Sequence, residues 1–234
     1  MLQTRLPKIR LSALIIGFVA ALFAIVAPSL AQTPPTPSEV AAYTGLHAAA
    51  HKGDVTAISR LIAGKADPNA RDGAGRTPLH VAAFARQRAA MRALAKGGAD
   101  PRALENRIYD AITIAAVADD LETMKVGIEI GGSAREITSP YIGTALIAAA
   151  HLGHDTVVRE LIRAGAPLDH VNNLHWTALI EAVILGDGGP RHVECVRLLV
   201  EAGARRDLAD REGKTPLDHA RQRGYAAMVK LLDR

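Results

Sequence analysis

Apolar residues along this chain fall into short helical phrases separated by glycines and polar breaks. Val157, Val158, Leu161 and Ile162 form one phrase, and Cys195, Val196, Leu198, Leu199 and Val200 form another. A rhythm of i, i+1, i+4, i+5 marks one apolar face of a helix. Ahead of each such phrase stands a shorter, alanine-rich one, such as Leu79-His80-Val81-Ala82-Ala83 or Leu146-Ile147-Ala148-Ala149-Ala150. The pattern predicts pairs of short helices, and small Ala residues let the first of each pair approach its neighbours closely. Thr44, Thr77, Thr144, Thr177 and Thr215 open the first helices, with Asp110 in the same place once. Their side-chain oxygens can accept from an orphan N–H one turn in. Pro78 and Pro216 follow at the first helical position, where a missing N–H is harmless. Gly98, Gly165 and Gly203 end second helices, at a left-handed cap that glycine adopts without steric penalty. Lys65 stands there in the first pair, so Gly64 is expected to take that cap with a shifted turn.

The openings lie at 44, 77, 110, 144, 177 and 215, at intervals of 33, 33, 34, 33 and 38 residues. The best preserved reads Thr77-Pro78-Leu79-His80-Val81-Ala82-Ala83. This motif at this period resembles the ankyrin repeat. The resemblance covers residues 44–234 and implies an all-α solenoid of about six helix-turn-helix units joined by β-hairpin-like links. No unit can bury its own apolar face, whereas stacked units can. Asp72-Gly73 and Glu212-Gly213 suit the tight turns of such links. The resemblance also implies that the His of the motif is structural, bonding between units, and that the links and first helices present the binding face.

Besides the first, with Lys65 at its cap, three units depart from the pattern. In the third, Thr113 replaces the motif His and Gly127 replaces a core Leu, so this unit is expected to pack thinly and be the weakest of the array. The fifth carries an insertion at Asp187-Gly188-Gly189-Pro190-Arg191, between its helices, which loop entropy tolerates easily. The sixth has a polar first helix with Asp218, Arg221, Gln222 and Arg223, as the terminal cap of a solenoid requires.

Residues 1–31 lie outside the repeats. Arg5, Lys8 and Arg10 precede an apolar run from Leu11 to Ala27, and Ser29-Leu30-Ala31 offers small residues at the two positions a signal peptidase reads. The pattern is that of a secretory signal peptide cut between Ala31 and Gln32. The alternative is an uncleaved anchor, for which the run is slightly short of the roughly 20 residues of a span. Residues 32–43, with Pro34, Pro35 and Pro37, read as an extended Pro-rich tether. The chain has 28 basic and 24 acidic residues. Three of the bases leave with the signal, so the mature chain is close to neutral and gives no argument for a nucleic acid or anionic membrane partner. The expected location is periplasmic or secreted, or the inner membrane if the segment stays.

Candidate chemistry is thin. His47 and His51 share a helical face, and His151 and His154 are three apart, the start of a zinc site. No Cys, Asp or Glu cluster supplies further ligands, and His47 is the motif His. Gly213-Lys214-Thr215 resembles the end of a phosphate loop, but Leu208 stands where its first Gly belongs; Gly73-Ala74-Gly75 lacks the third Gly of a dinucleotide motif. Cys195, the single cysteine, occupies an apolar helical position and reads as inert core. No catalytic residue, metal or cofactor is expected, and no small-molecule substrate.

The expected function is protein binding, with a partner of unknown identity; an obligate structural or inhibitory subunit of a co-exported enzyme is the alternative. Aromatics are scarce, yet Tyr109, Tyr141 and Trp176 all fall within three residues before a unit opening, with His175 beside Trp176. Phe84, Leu152 and Ile184 lie near the ends of first helices. Aromatic and aliphatic anchors in a polar surround often carry most of an interface's energy, so these seven are the candidate binding residues.

Overall fold

A computed structural model describes residues 32–233. They belong to one compact unit, Gln32 to Arg234. The run Leu11–Ala27 and the cleavage residue Ala31 lie outside the described residues. Among the described residues there are 13 α-helices and no strand. Six units follow α1 (Pro37–Ala42): α2 (Gly45–Lys52) with α3 (Val55–Ala63), α4 (Pro78–Phe84) with α5 (Arg88–Lys96), and α6 (Ala111–Val117) with α7 (Leu121–Glu129). The later three are α8 (Ala145–His151) with α9 (Asp155–Arg163), α10 (Ala178–Ile184) with α11 (Pro190–Glu201), and α12 (Pro216–Gln222) with α13 (Ala226–Leu232). First helices stack on first helices and second on second, which makes the expected two-layer solenoid.

The openings work largely as caps. Asp110, Thr144, Thr177 and Thr215 each accept from the backbone N–H three residues on. Thr77 instead joins its motif His: its N–H and hydroxyl both meet His80 Nδ1, at 3.1 and 2.9 Å. Nδ1 is thus an acceptor, so the proton sits on Nε2, which donates to the Tyr109 carbonyl of the next unit at 3.1 Å. Burial drives the His80 pKa down to about 4. His47 repeats the hook, its Nε2 lying 3.0 Å from the Arg76 carbonyl. In the third unit the substitute Thr113 pairs with Thr138 across the same gap, hydroxyl to hydroxyl at 2.5 Å. At the second-helix cap Lys65 itself takes the left-handed conformation, φ 66°, and Gly64 does not, φ −78°.

Residues 37–42 are helical, not part of an extended tether. Thr36 and Glu39 form a reciprocal capping box, and a side chain far along the sequence holds the segment down. Arg76 is 2% exposed. Its guanidinium pairs with Asp72 at 2.7 Å and with Glu39, and reaches the Thr33 carbonyl at 3.4 Å. Tyr43 donates its hydroxyl proton to the other side of this latch, Asp72 Oδ2, at 2.7 Å. A buried guanidinium needs such partners, and residues 33–43 supply two of the three, Glu39 and the Thr33 carbonyl.

The core divides within the third unit. Ala111, Ile114 and Val126 pack with units one and two, whereas Ile112, Ala115, Ala116 and Met124 pack with units four to six. The second helices pack less extensively on either side of α7 than between α9 and α11. The space left at Gly127, however, is filled. A Cβ there would lie 2.9 Å from Ile112 Cγ1, and one at Gly132 would lie 2.8 Å from Ile112 Cδ1. Ile112 occupies the volume that a Leu at 127 would take, so the absence of that Leu does not leave a void.

The insertion in the fifth unit lengthens α11 to 12 residues, against nine in α9. Arg191, brought forward by it, reaches Asp155 of unit four at 3.0 Å and Asp119 of unit three at 2.8 Å. The loop thus spans three units along the edge opposite the links.

Candidate protein-interaction face

Five links are built on one plan. The residue five before each opening caps its own turn: Asp72, Glu105, Ser139, Asn172 and Asp210. Each accepts from the N–H two and four residues on, at 2.8–3.3 Å. Asp, Asn and Ser side chains favour such turns because they satisfy the backbone locally. The residue two before each opening then enters the left-handed region: Gly75, Ile108, Ile142, His175 and Gly213, with φ from 56° to 75°. At Gly75 the space is tight as well: a Cβ there would lie 2.2 Å from Asn106 Oδ1 and 3.0 Å from its backbone N. Adjacent links are tied by Asn106 N–H to the Ala74 carbonyl (3.1 Å) and Asn173 N–H to the Tyr141 carbonyl (2.9 Å). Pro140 stands at the corresponding place in the fourth link and has no N–H to give.

This plan sorts the candidate residues by register. The position just before an opening points inward. Tyr109, at that position, is only 6% exposed and packs in the core, where burial raises its phenol pKa; as an exposed binding residue it is corrected to a structural one. Trp176, also there, is half-buried. Tyr141 is half-buried at a link tip, and His175 is exposed and accepts from Arg211 Nε at 2.9 Å. Phe84 and Ile184 are half-buried on the first helices, while Leu152 is 41% exposed. The pattern of aromatics missed the tips themselves: Ile108 (44% exposed), Ile142 (51%) and Leu174 (38%). Leu185, at the end of α10, is as exposed as Leu152.

Among the other chemistry-bearing groups, Cys195, His154 and Glu181 are tied up. Cys195 is buried, and burial pushes its thiol up to about 12, away from a reactive thiolate. His154 Nδ1 lies 2.9 Å from the Ala116 carbonyl. Glu181 is buried; it accepts from Asn172 Nδ2 at 2.7 Å and lies 3.2 Å from His151 Nδ1. Among the described residues no group of three or more His, Cys, Asp or Glu converges as metal ligands would.

A two-layer stack of helical pairs with hook histidines and repeated capped links defines a repeat scaffold. Comparison with known proteins gives the family. The family model for ankyrin repeats (3 copies) matches residues 20–105 and 112–205, and the chain belongs to the ankyrin repeat family. It is 41% identical over 91 residues to the ankyrin repeat protein YahD of Escherichia coli (strain K12), a match covering 38% of this chain and 45% of that protein. It thus spans less than half of that curated relative. It is similar to the crystal structure of an ankyrin repeat domain from Acinetobacter baumannii AYE, with 43% identity, TM-score 0.76, and 80% of this chain and 95% of that one covered. The ankyrin repeat domain of Bcl-3, a member of the IkappaB protein family, superposes with TM-score 0.73 at 25% identity, covering 82% of this chain and 86% of that one. The ankyrin fold is a non-catalytic scaffold for protein–protein interaction.

Proposed function

We propose that the protein is an exported, non-catalytic interaction module that binds a periplasmic or secreted protein through its links and the ends of its first helices. The observation that carries this reading is where exposed apolar bulk lies. Eight large apolar side chains are exposed among the described residues, and seven of them sit on links or at first-helix ends. Val55, on a second helix, is the exception. Five of these seven sit on links and two, Leu152 and Leu185, just beyond the far ends of first helices, so the proposed face runs from the links along the first helices, where gathered apolar residues mark an interaction site better than scattered ones. In this reading the row is the concave side of the solenoid, and Tyr141, Leu152, His175 and Ile184 contribute to it.

Export rests on the basic start, the apolar run and Ser29-Leu30-Ala31. Among the described residues no helix is long and apolar enough to cross a membrane, so an anchor would have to be the run Leu11–Ala27. N-terminal sequencing of protein fractionated from its host tests the reading. A periplasmic chain beginning at Gln32 supports it; an intact Met1 in the cytoplasm refutes export, and an intact run in the membrane fraction replaces secretion by anchoring.

A further inference from the structure

Ile108 and Ile142 adopt the left-handed conformation that the link turn requires, their N–H groups bonding the Glu105 and Ser139 carbonyls at 2.9 and 3.0 Å, and the turn could be made by a residue without their bulk. A β-branched residue at positive φ is a steric outlier, and such strain persists where the surrounding structure imposes it, often at sites of function. Glycine fills the same position in the second and sixth links, at Gly75 and Gly213. The two isoleucine side chains are about half exposed, so about half of their apolar surface is left without a partner inside the chain. Their bulk makes sense as a contact made outside the chain. Leu174 continues the row at the next tip, and the Asn173 N–H bond to the Tyr141 carbonyl ties its link to that of Ile142.

Charge completes the description. Of the acids in the second, third and sixth links, Asp72, Glu105 and Asp210 face their own turns as caps, and Glu212 pairs with Lys214 at 3.2 Å. Two exposed arginines flank the apolar tips and have neutral acceptors. Arg71, in the second link, donates to the Gly75 and Leu104 carbonyls at 2.8 and 2.6 Å. Arg211, in the sixth, donates to His175 Nδ1 and the Asn173 carbonyl at 2.9 and 2.6 Å. The exposed tips therefore run Arg71, Ile108, Ile142, Leu174, Arg211, with the half-buried Arg107 beside Ile108. With stacked helices roughly 10 Å apart, the three apolar tips span about 20 Å and the two arginines about 40 Å. At about 3.3 Å per residue those lengths match about six and about twelve residues of extended chain.

Resting on the interaction role proposed above, we infer that the link tips bind an extended protein segment that is aliphatic at its middle and acidic at each end. The segment's apolar centre lies on Ile108, Ile142 and Leu174, and its carboxylates meet Arg71 and Arg211.

The test is selection of displayed random peptides of about 16 residues on the full chain, with binders that also retain the Ile108→Gly/Ile142→Gly double variant removed. The double variant should melt no lower than the parent, and a few degrees higher if the strain is real; a lower melting point overturns the strain argument. Retained peptides should carry Asp or Glu on both sides of an aliphatic stretch. They should lose about ten-fold in affinity on Arg71→Gln/Arg211→Gln, with a shallower salt dependence. Retained peptides with basic or neutral flanks, indifferent to that change, overturn the acidic-partner inference while leaving the interaction role standing. If no peptide depends on the tips, and Leu152→Ser/Leu185→Ser is equally without effect on whatever binds, the interaction face itself is wrong.

Discussion

Replacing Gly127 by alanine would ordinarily strengthen a helix, since glycine inside one costs about 1 kcal/mol relative to alanine. Here the new Cβ would lie 2.9 Å from Ile112 Cγ1, with Ile112 backbone atoms 3.7 Å away. Ile112 has no room to retreat: it is fully buried, and its Cδ1 already fills the space above Gly132. Overpacking a closed core costs about 1–3 kcal/mol. Gly127→Ala should therefore lose up to about 2 kcal/mol net, and Gly127→Leu, which a repeat consensus would recommend, should lose more. Ile112→Ala alone should lose about 2–5 kcal/mol through the cavity it leaves. On that background the obstruction is gone, and Gly127→Ala should regain about 1 kcal/mol. Urea titration of the four proteins, followed by circular dichroism, gives the coupling energy directly. Equal stabilisation by Gly127→Ala in both backgrounds would refute the idea that Ile112 fills the missing Leu's place.

Three further outcomes follow from the latch, the hook and the insertion. His80 has a folded pKa near 4 against 6.5 ordinarily, so the fold binds fewer protons than the unfolded chain. Stability from it is complete above about pH 6.5 and falls by about 3 kcal/mol as pH drops towards 4. Asp110, whose pKa burial raises, gives the opposite slope, so the comparison is with His80→Gln, whose stability should fall less over that window. Arg76→Met should cost about 1–3 kcal/mol by removing the charged partner of the nearly buried Asp72 and expose residues 33–43 to limited proteolysis, whereas an unchanged digest would mean no latch. Arg191→Ala should cost less than about 1 kcal/mol at low salt and almost nothing near 1 M, as surface pairs do; a salt-independent loss would contradict a purely ionic clamp.

Much of the fold was legible because each unit repeats the same physics. Thr caps, Ala pairs and terminal glycines recur with a period that chance does not produce, and the helices begin where the caps stand. The departures were harder. Residues 32–43 read as a tether because three prolines suggest extension; the latch needs Arg76, more than thirty residues on, which no local pattern reveals. Gly127 looked like a void because its filler, Ile112, belongs to another helix. On the candidate face, Tyr109, Tyr141 and Trp176 were grouped by nearness to an opening, yet one step of register decides burial. The residue just before the opening turns inward, as Tyr109 does, and the one before that turns out. Reading that second column, Gly75, Ile108, Ile142, His175, Gly213, would have found the exposed isoleucines from the sequence.

The central claim is that this scaffold meets another protein through its links and first-helix ends. A photo-crosslinking amino acid placed singly at Tyr141, Leu152, Ser59 and Arg163, in protein expressed in its host, tests it most directly. The first two lie on the proposed face and the last two on second helices. Illumination should give a discrete adduct with one exported protein from Tyr141 and Leu152 and none from Ser59 or Arg163. Adducts from Ser59 and Arg163 alone, or indiscriminately from all four, would contradict the account.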